Sequence, residues 1–160
     1  MLTGVRELTL SSYESLPLRI LGFIAPMTWL ESLTLERLAS FTARYNLRFL
    51  RGFSQLRSLQ LSWVGVFGVY FDFLPQLTNL RDLRVACGSR CTFSVESLRY
   101  LTEMTWLVSL QLENTQVQDP YNGNVISFAE SLSVDERSLS IKGSRVKVCE
   151  LLDSIRSRWQ

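Results

Sequence analysis

Leu30-Glu-Ser-Leu33-Thr-Leu35, Leu56-Arg-Ser-Leu59-Gln-Leu61 and Leu107-Val-Ser-Leu110-Gln-Leu112 are three copies of one pattern, L-x-x-L-x-L. With conservative apolar swaps it recurs at Val5-Arg-Glu-Leu8-Thr-Leu10 and Leu80-Arg-Asp-Leu83-Arg-Val85, and in degraded form at Glu136-Arg-Ser-Leu139-Ser-Ile141. The six copies begin at residues 5, 30, 56, 80, 107 and 136, in steps of 25, 26, 24, 27 and 29 residues. A period held across the whole chain is the signature of stacked units.

A second set of positions keeps the same period. Each middle copy is preceded at seven, six and three residues by apolar side chains: Phe23, Ile24 and Met27; Phe49, Leu50 and Phe53; Phe73, Leu74 and Leu77; Tyr100, Leu101 and Met104. These are spacings of one helical face. The words Met27-Thr-Trp-Leu30 and Met104-Thr-Trp-Leu107 are identical. Trp29 and Trp106 therefore hold one position of the pattern, which points to a structural role.

Within L-x-x-L-x-L the last two leucines lie two apart, so they share one face of a short strand while the residues between them face away. A short helix between copies offers its own apolar stripe to that face. Neither element buries its stripe alone, so the units must stack. A strand followed by a helical crossover into the next strand runs parallel to it. Strands stack about 4.8 Å apart whereas helices need about 10 Å, so the array is expected to curve with its strands inside.

These residues resemble the leucine-rich repeat proteins, whose L-x-x-L-x-L-x-x-N/C-x-L motif matches in its first six positions along essentially the whole chain. The resemblance implies an α/β solenoid of about six repeats in a single domain, 1–160, with a curved parallel sheet and short helices or irregular segments opposite. The step of about 25 residues is most similar to intracellular repeats, including those of F-box ubiquitin-ligase receptors and ribonuclease-inhibitor-like proteins. At the motif's Asn/Cys position the chain has Tyr13, Leu38, Val64, Gly88, Thr115 and Ser144 instead, so the Asn ladder of standard repeats is missing.

The ends differ. Val148, Leu151, Leu152, Ile155 and Trp159 stand at helical spacing and read as a capping helix over about 147–159. Ahead of the first strand stand only Met1 to Gly4, too few to cover an open edge. Either the chain belongs to something longer, or that edge meets a partner, and self-association through it is expected. The polar stretch Thr115-Gln-Val-Gln-Asp-Pro-Tyr-Asn-Gly-Asn124 coincides with the longest step and predicts a protruding loop.

Composition narrows the chemistry. At 160 residues, 46% hydrophobic and 20% charged, the chain has the length and make-up of one globular domain. No apolar run reaches the roughly 18 residues that span a bilayer, no secretory signal opens the chain, and three cysteines form no disulfide framework. A cytoplasmic or nuclear protein with no membrane partner is expected. Histidine is absent, which removes the commonest general acid–base residue and metal ligand. Cys87-Gly-Ser-Arg-Cys91 has only Cys149 to join it, too few ligands for a zinc site and without an activating base for a nucleophile. Gly65-Val-Phe-Gly68 lacks the Gly-Lys-Ser/Thr ending of a phosphate loop. No catalytic residue and no cofactor is expected.

The non-leucine strand positions line up in columns. One reads Thr9, Thr34, Gln60, Arg84, Gln111, Ser140; the next Ser11, Glu36, Ser62, Ala86, Glu113, Lys142; a third Ser12, Arg37, Trp63, Cys87, Asn114, Gly143. The candidate partner-binding set is Arg37, Gln60, Trp63, Arg84, Gln111 and Glu113, centred on Trp63 as an exposed aromatic with Arg neighbours. Alternatively Val64-Gly-Val-Phe67 folds over Trp63 and makes it core. An outer column, Arg6, Glu31, Arg57, Arg81, Val108, Arg137, offers a basic stripe, although the net charge of +2 disfavours nucleic acid. The expected function is a non-enzymatic protein–protein interaction module, a substrate-recognition or adaptor element. The rival is an RNA- or phosphate-binding arc that uses the Arg edge.

Overall fold

The computed structural model describes residues 4–12, 19–38, 47–63, 67–69, 71–94, 100, 101, 103, 104, 106–118, 125–128, 132–135, 138–141 and 144–147. Five strands form an all-parallel sheet in chain order: β1 (Glu7–Leu10), β2 (Ser32–Leu38), β3 (Ser58–Trp63), β5 (Asp82–Ser94) and β6 (Ser109–Gln118). A short strand β4 (Phe67–Val69) runs parallel to the far end of β5. The first five L-x-x-L-x-L copies thus each supply one parallel strand.

The copies align residue for residue. Leu8, Leu33, Leu59, Leu83 and Leu110 form one rung across the sheet, and Leu10, Leu35, Leu61, Val85 and Leu112 the next. Since alternate residues of a strand share a face, both rungs lie on one side. On the inner strands that side is fully buried: Leu33, Leu35, Leu59, Leu61, Leu83 and Val85 are all 0–1% exposed.

Opposite the rungs run the connections. Helix α1 (Arg19–Ile24) precedes β2, and 3-10 helices at Arg48–Gly52 and Leu74–Gln76 precede β3 and β5. Their hydrogen bonds step by three. The amide of Leu50 donates to the Leu47 carbonyl, Phe53 to Leu50 and Leu56 to Phe53, at 2.9–3.1 Å. Leu74, Leu77 and Leu80 repeat the staircase from Phe71, Met27 and Leu30 from Ile24, and Met104 and Leu107 from Leu101. A 3-10 helix has three residues per turn, so apolar residues spaced by three stack on one edge of it. That explains why the residue at every step is apolar. The helical face read from the sequence is therefore mostly a 3-10 edge; the positions three and six before each copy belong to it.

Side chains fasten each connection to the one before. Trp106 Nε1 donates to the Leu77 carbonyl at 3.0 Å, and Asn79 Nδ2 to the Ser54 carbonyl at 2.7 Å. Arg48 and Arg51, three apart and so on one edge of their 3-10 helix, both donate to Asp72 Oδ2, at 2.9 and 2.8 Å. Trp29, in the same word as Trp106, has a buried Nε1 without an acceptor among the described residues.

The series of parallel strands ends at β6. Antiparallel β8 (Leu132–Asp135) takes its outer edge, followed by β9 (Ser138–Ile141) and β10 (Ser144–Lys147), also antiparallel. The sixth copy, in β9, thus does not pair with β6 as the next parallel strand; antiparallel β8 stands between them. Three and six residues before it stand Ser133 and Glu130, so no apolar staircase can form there to carry the crossover a parallel strand needs. The loop expected over 115–124 is revised at its start, residues 119–124 lying outside the described residues. Thr115–Gln118 prolongs β6 and pairs with antiparallel β7 (Val125–Phe128), whose Val, Ile and Phe suit a strand. The capping helix expected over 147–159 lies outside the described residues except for Lys147, which ends β10.

Replacing Leu59 or Leu83 with Ala opens a cavity in the middle of this core and is expected to cost about 2–5 kcal/mol in thermal or urea unfolding. Losses under about 1 kcal/mol at both positions would contradict the rung assignment.

Candidate functional site

The face of the parallel sheet opposite the leucine rungs is polar. Its central row is Thr9, Thr34, Gln60, Arg84 and Gln111, one residue from each of five adjacent strands, all in register. Thr9 and Arg84 are exposed, and the other three are half-buried between neighbouring strands. Spacings of about 4.8 Å between strands make this row about 19 Å long. Beside it, two residues along each strand, run Ser62, Ala86 and Glu113 in register.

On the other flank lies a row that the sequence reading passed over: Glu7, Ser32, Ser58, Asp82 and Ser109. The signal was present, because each residue stands two before a member of the central row and so shares its face. Glu7 and Asp82 are exposed, and Glu36 of β2 is half-buried.

Of the expected partner-binding set, Gln60, Arg84 and Gln111 come together on three neighbouring strands. Glu113 takes its place in the adjoining row, opposite Ala86. Arg37 and Trp63 separate from this group. Between β2 and β3 the register slips after Leu35, so that Leu38 rather than Arg37 stands opposite Trp63. Arg37 carries the slip with φ of 56°, in the left-handed region. An extra residue in one strand forms a bulge, which accommodates such a conformation. Trp63 pairs with Cys87 on an unbroken β3, at the register position that continues the series Leu59, Leu61 rather than Gln60, Ser62. Among the described side chains, Arg84 stands at the centre of the polar row.

The outer column is built as expected through Val108. The amides of Glu31, Arg57, Arg81 and Val108 each donate to the carbonyl of the preceding member, at 2.7–2.8 Å. The stripe is not uniformly basic. The Glu31 carboxylate stands 3.6 Å from Arg6 and 3.9 Å from Arg57, and Arg81 Nη1 donates to the Thr78 and Leu80 carbonyls at 3.1 and 3.2 Å. Exposed pairs of this kind contribute little stability, but the interposed carboxylate lowers the potential of the stripe. Arg137 lies outside the described residues.

Cys87 and Cys91 both fall within β5, and Gly68 within β4. Among the described residues no group of three His, Cys, Asp or Glu side chains is placed to hold a metal ion, and no helix is long and apolar enough to cross a membrane. No protein-family model matches the chain, and a search of curated proteins finds no match.

The left-handed conformation of Arg37 makes the bulge testable. A β-branched side chain is strained there by about 1–2 kcal/mol relative to glycine. Arg37→Val is expected to melt below Arg37→Gly by that margin. Equal melting temperatures would contradict the slipped register.

Proposed function

We propose that this chain is a leucine-rich repeat module without catalytic function, which binds a protein partner across the polar face of its parallel sheet. The observation that carries the reading is the in-register row Thr34, Gln60, Arg84, Gln111. It holds hydrogen-bonding side chains at fixed spacings on strands locked by buried leucines. A parallel array anchored this way displays many rigid positions without relying on loops. Arg84, central in the row, offers the planar multi-donor group enriched in binding hot spots. Gln60 and Gln111 flank it with both donors and acceptors. An adaptor or substrate-recognition role follows from such a surface.

The alternative, an RNA- or phosphate-binding arc along Arg6, Arg57 and Arg81, is weakened by Glu31 between the first two. Among the described side chains the polar face carries the carboxylates Glu7, Glu36 and Asp82 against the cation Arg84. Such a face repels a phosphate backbone and suits protein.

The test is quantitative capture of partners from the source cell by the wild-type chain, by Gln60→Ala/Arg84→Ala/Gln111→Ala, and by the rim variant Arg6→Ala/Arg57→Ala. The face variant is expected to melt within a few degrees of wild type and to lose specific partners, with affinity down about 30-fold or more, the 2 kcal/mol hot-spot threshold. The rim variant keeps them. Capture that survives the face variant but disappears with nuclease treatment, steeply with salt, or in the rim variant would transfer the function to nucleic acid. Trp63→Ala, at the leucine-series position, is expected to lower the melting temperature.

A further inference from the structure

We infer that the partner of the polar face is basic where it docks: a protein segment that brings two Lys or Arg side chains onto Asp82 and Glu36. The inference rests on the proposed reading of that face as the binding surface, and adds the chemistry of what binds there.

The described carboxylates divide by location. Away from the face they are engaged: Glu31 stands between Arg6 and Arg57, Asp72 accepts from Arg48 and Arg51, and Glu103 holds an interaction within the chain. On the face, Asp82 is exposed and Glu36 half-buried, and neither is in an ion pair among the described residues. The cations divide the other way. Arg37, next to Glu36, and Arg84, two residues from Asp82, each hold an interaction within the chain, and Arg6, Arg57 and Arg81 are engaged along the rim. What the face leaves unmatched is negative charge.

Register turns this surplus into a requirement on the partner. Asp82 stands in line with Ser58 and Ser32, and Glu36 lies four residues along β2 from Ser32. Two strand spacings of about 4.8 Å and four residues of about 3.3 Å set the two carboxylates about 16 Å apart. Gln60, on the strand between and midway along, is the centre of that diagonal, with Ser58 and Thr34 beside it. A partner that reaches Gln60 and its neighbours therefore covers both carboxylates. Covering them strips their water, and an ionised group loses far more by this than an amide or hydroxyl does unless an opposite charge replaces the water. A neutral or acidic partner is penalised at two points, and a basic one is not. Between those points Gln60 offers both donors and acceptors, which suit the polar groups of any peptide backbone. Charge complementarity thus selects the occupant, and the hydroxyls and amides between the charges leave the rest of its sequence free.

The probe is a library of random peptides displayed on phage, selected on the full chain with an excess of Gln60→Ala/Arg84→Ala/Gln111→Ala in solution, so that only binders of the face are kept. These are expected to carry more Lys and Arg than Asp and Glu. As synthetic peptides they are expected to bind Asp82→Asn/Glu36→Gln about tenfold more weakly than wild type, with each single substitution contributing a part. Glu31→Gln, which changes the net charge equally per site but lies off the face, leaves their affinity within about twofold. Replacing the basic residues of a peptide with Gln should weaken its binding to wild type and leave its binding to Asp82→Asn/Glu36→Gln unchanged, the mark of a direct pairing. Both surface variants are expected to melt within a few degrees of wild type. Face binders that are neutral or acidic, that hold Asp82→Asn/Glu36→Gln as tightly as wild type, or that weaken as much with Glu31→Gln would overturn this inference and leave the face as the binding surface. A library that yields no face binder would overturn both.

Discussion

The alignment of leucine on leucine across parallel strands is the constraint from which the rest of the structure follows. Leu33, Leu59 and Leu83 are interchangeable in place and almost completely buried. A slip of one residue between any two strands would carry these side chains to the other face and bring Thr34, Gln60 or Arg84 into the core. Burying those polar groups without partners costs more than any gain from a different pairing. The apolar layer thus sets the register, and the register sets the order of polar side chains on the far side. The polar face is a consequence of the core, with no loop required to position it.

Three-residue spacing plays the same part in the connections. The staircases Leu47-Leu50-Phe53-Leu56 and Phe71-Leu74-Leu77-Leu80 turn both their amides and their apolar side chains to one purpose. Each step satisfies a backbone donor and drops a side chain into the core. A 3-10 turn is narrower than an α-helix, so neighbouring connections can come close enough for direct staples. Trp106 to Leu77 and Asn79 to Ser54 are such bonds. Where the spacing lapses, before Glu136, the chain turns to antiparallel hairpins whose strands need only short links.

The five parallel strands and their register were legible because two periodicities, one of two residues and one near 25, coincide on the same leucines. The row Gln60, Arg84, Gln111 was legible for the same reason. What column counting could not show was a single inserted residue. The bulge at Arg37 shifts Leu38 opposite Trp63, and nothing in Leu35-Glu-Arg-Leu38 announces a left-handed residue, since Arg gives no conformational signal of the kind Gly does. Trp63 stands seven residues from the first leucine of its copy, and on an unbroken strand the pleat counts in twos, so its register position continues 59 and 61. The flanking row with Glu7 and Asp82 was available to that same count. Trp29 and Trp106 share a word, yet among the described residues Trp106 has an acceptor and Trp29 has none.

A polar face ordered by a buried ladder is the central claim, and inter-strand backbone proton contacts in solution test it most directly. The account predicts parallel contacts linking Thr34 with Gln60, Gln60 with Arg84, and Arg84 with Gln111. Contacts that placed Gln60 opposite Leu33 or Leu83, or an antiparallel pattern between these strands, would contradict it.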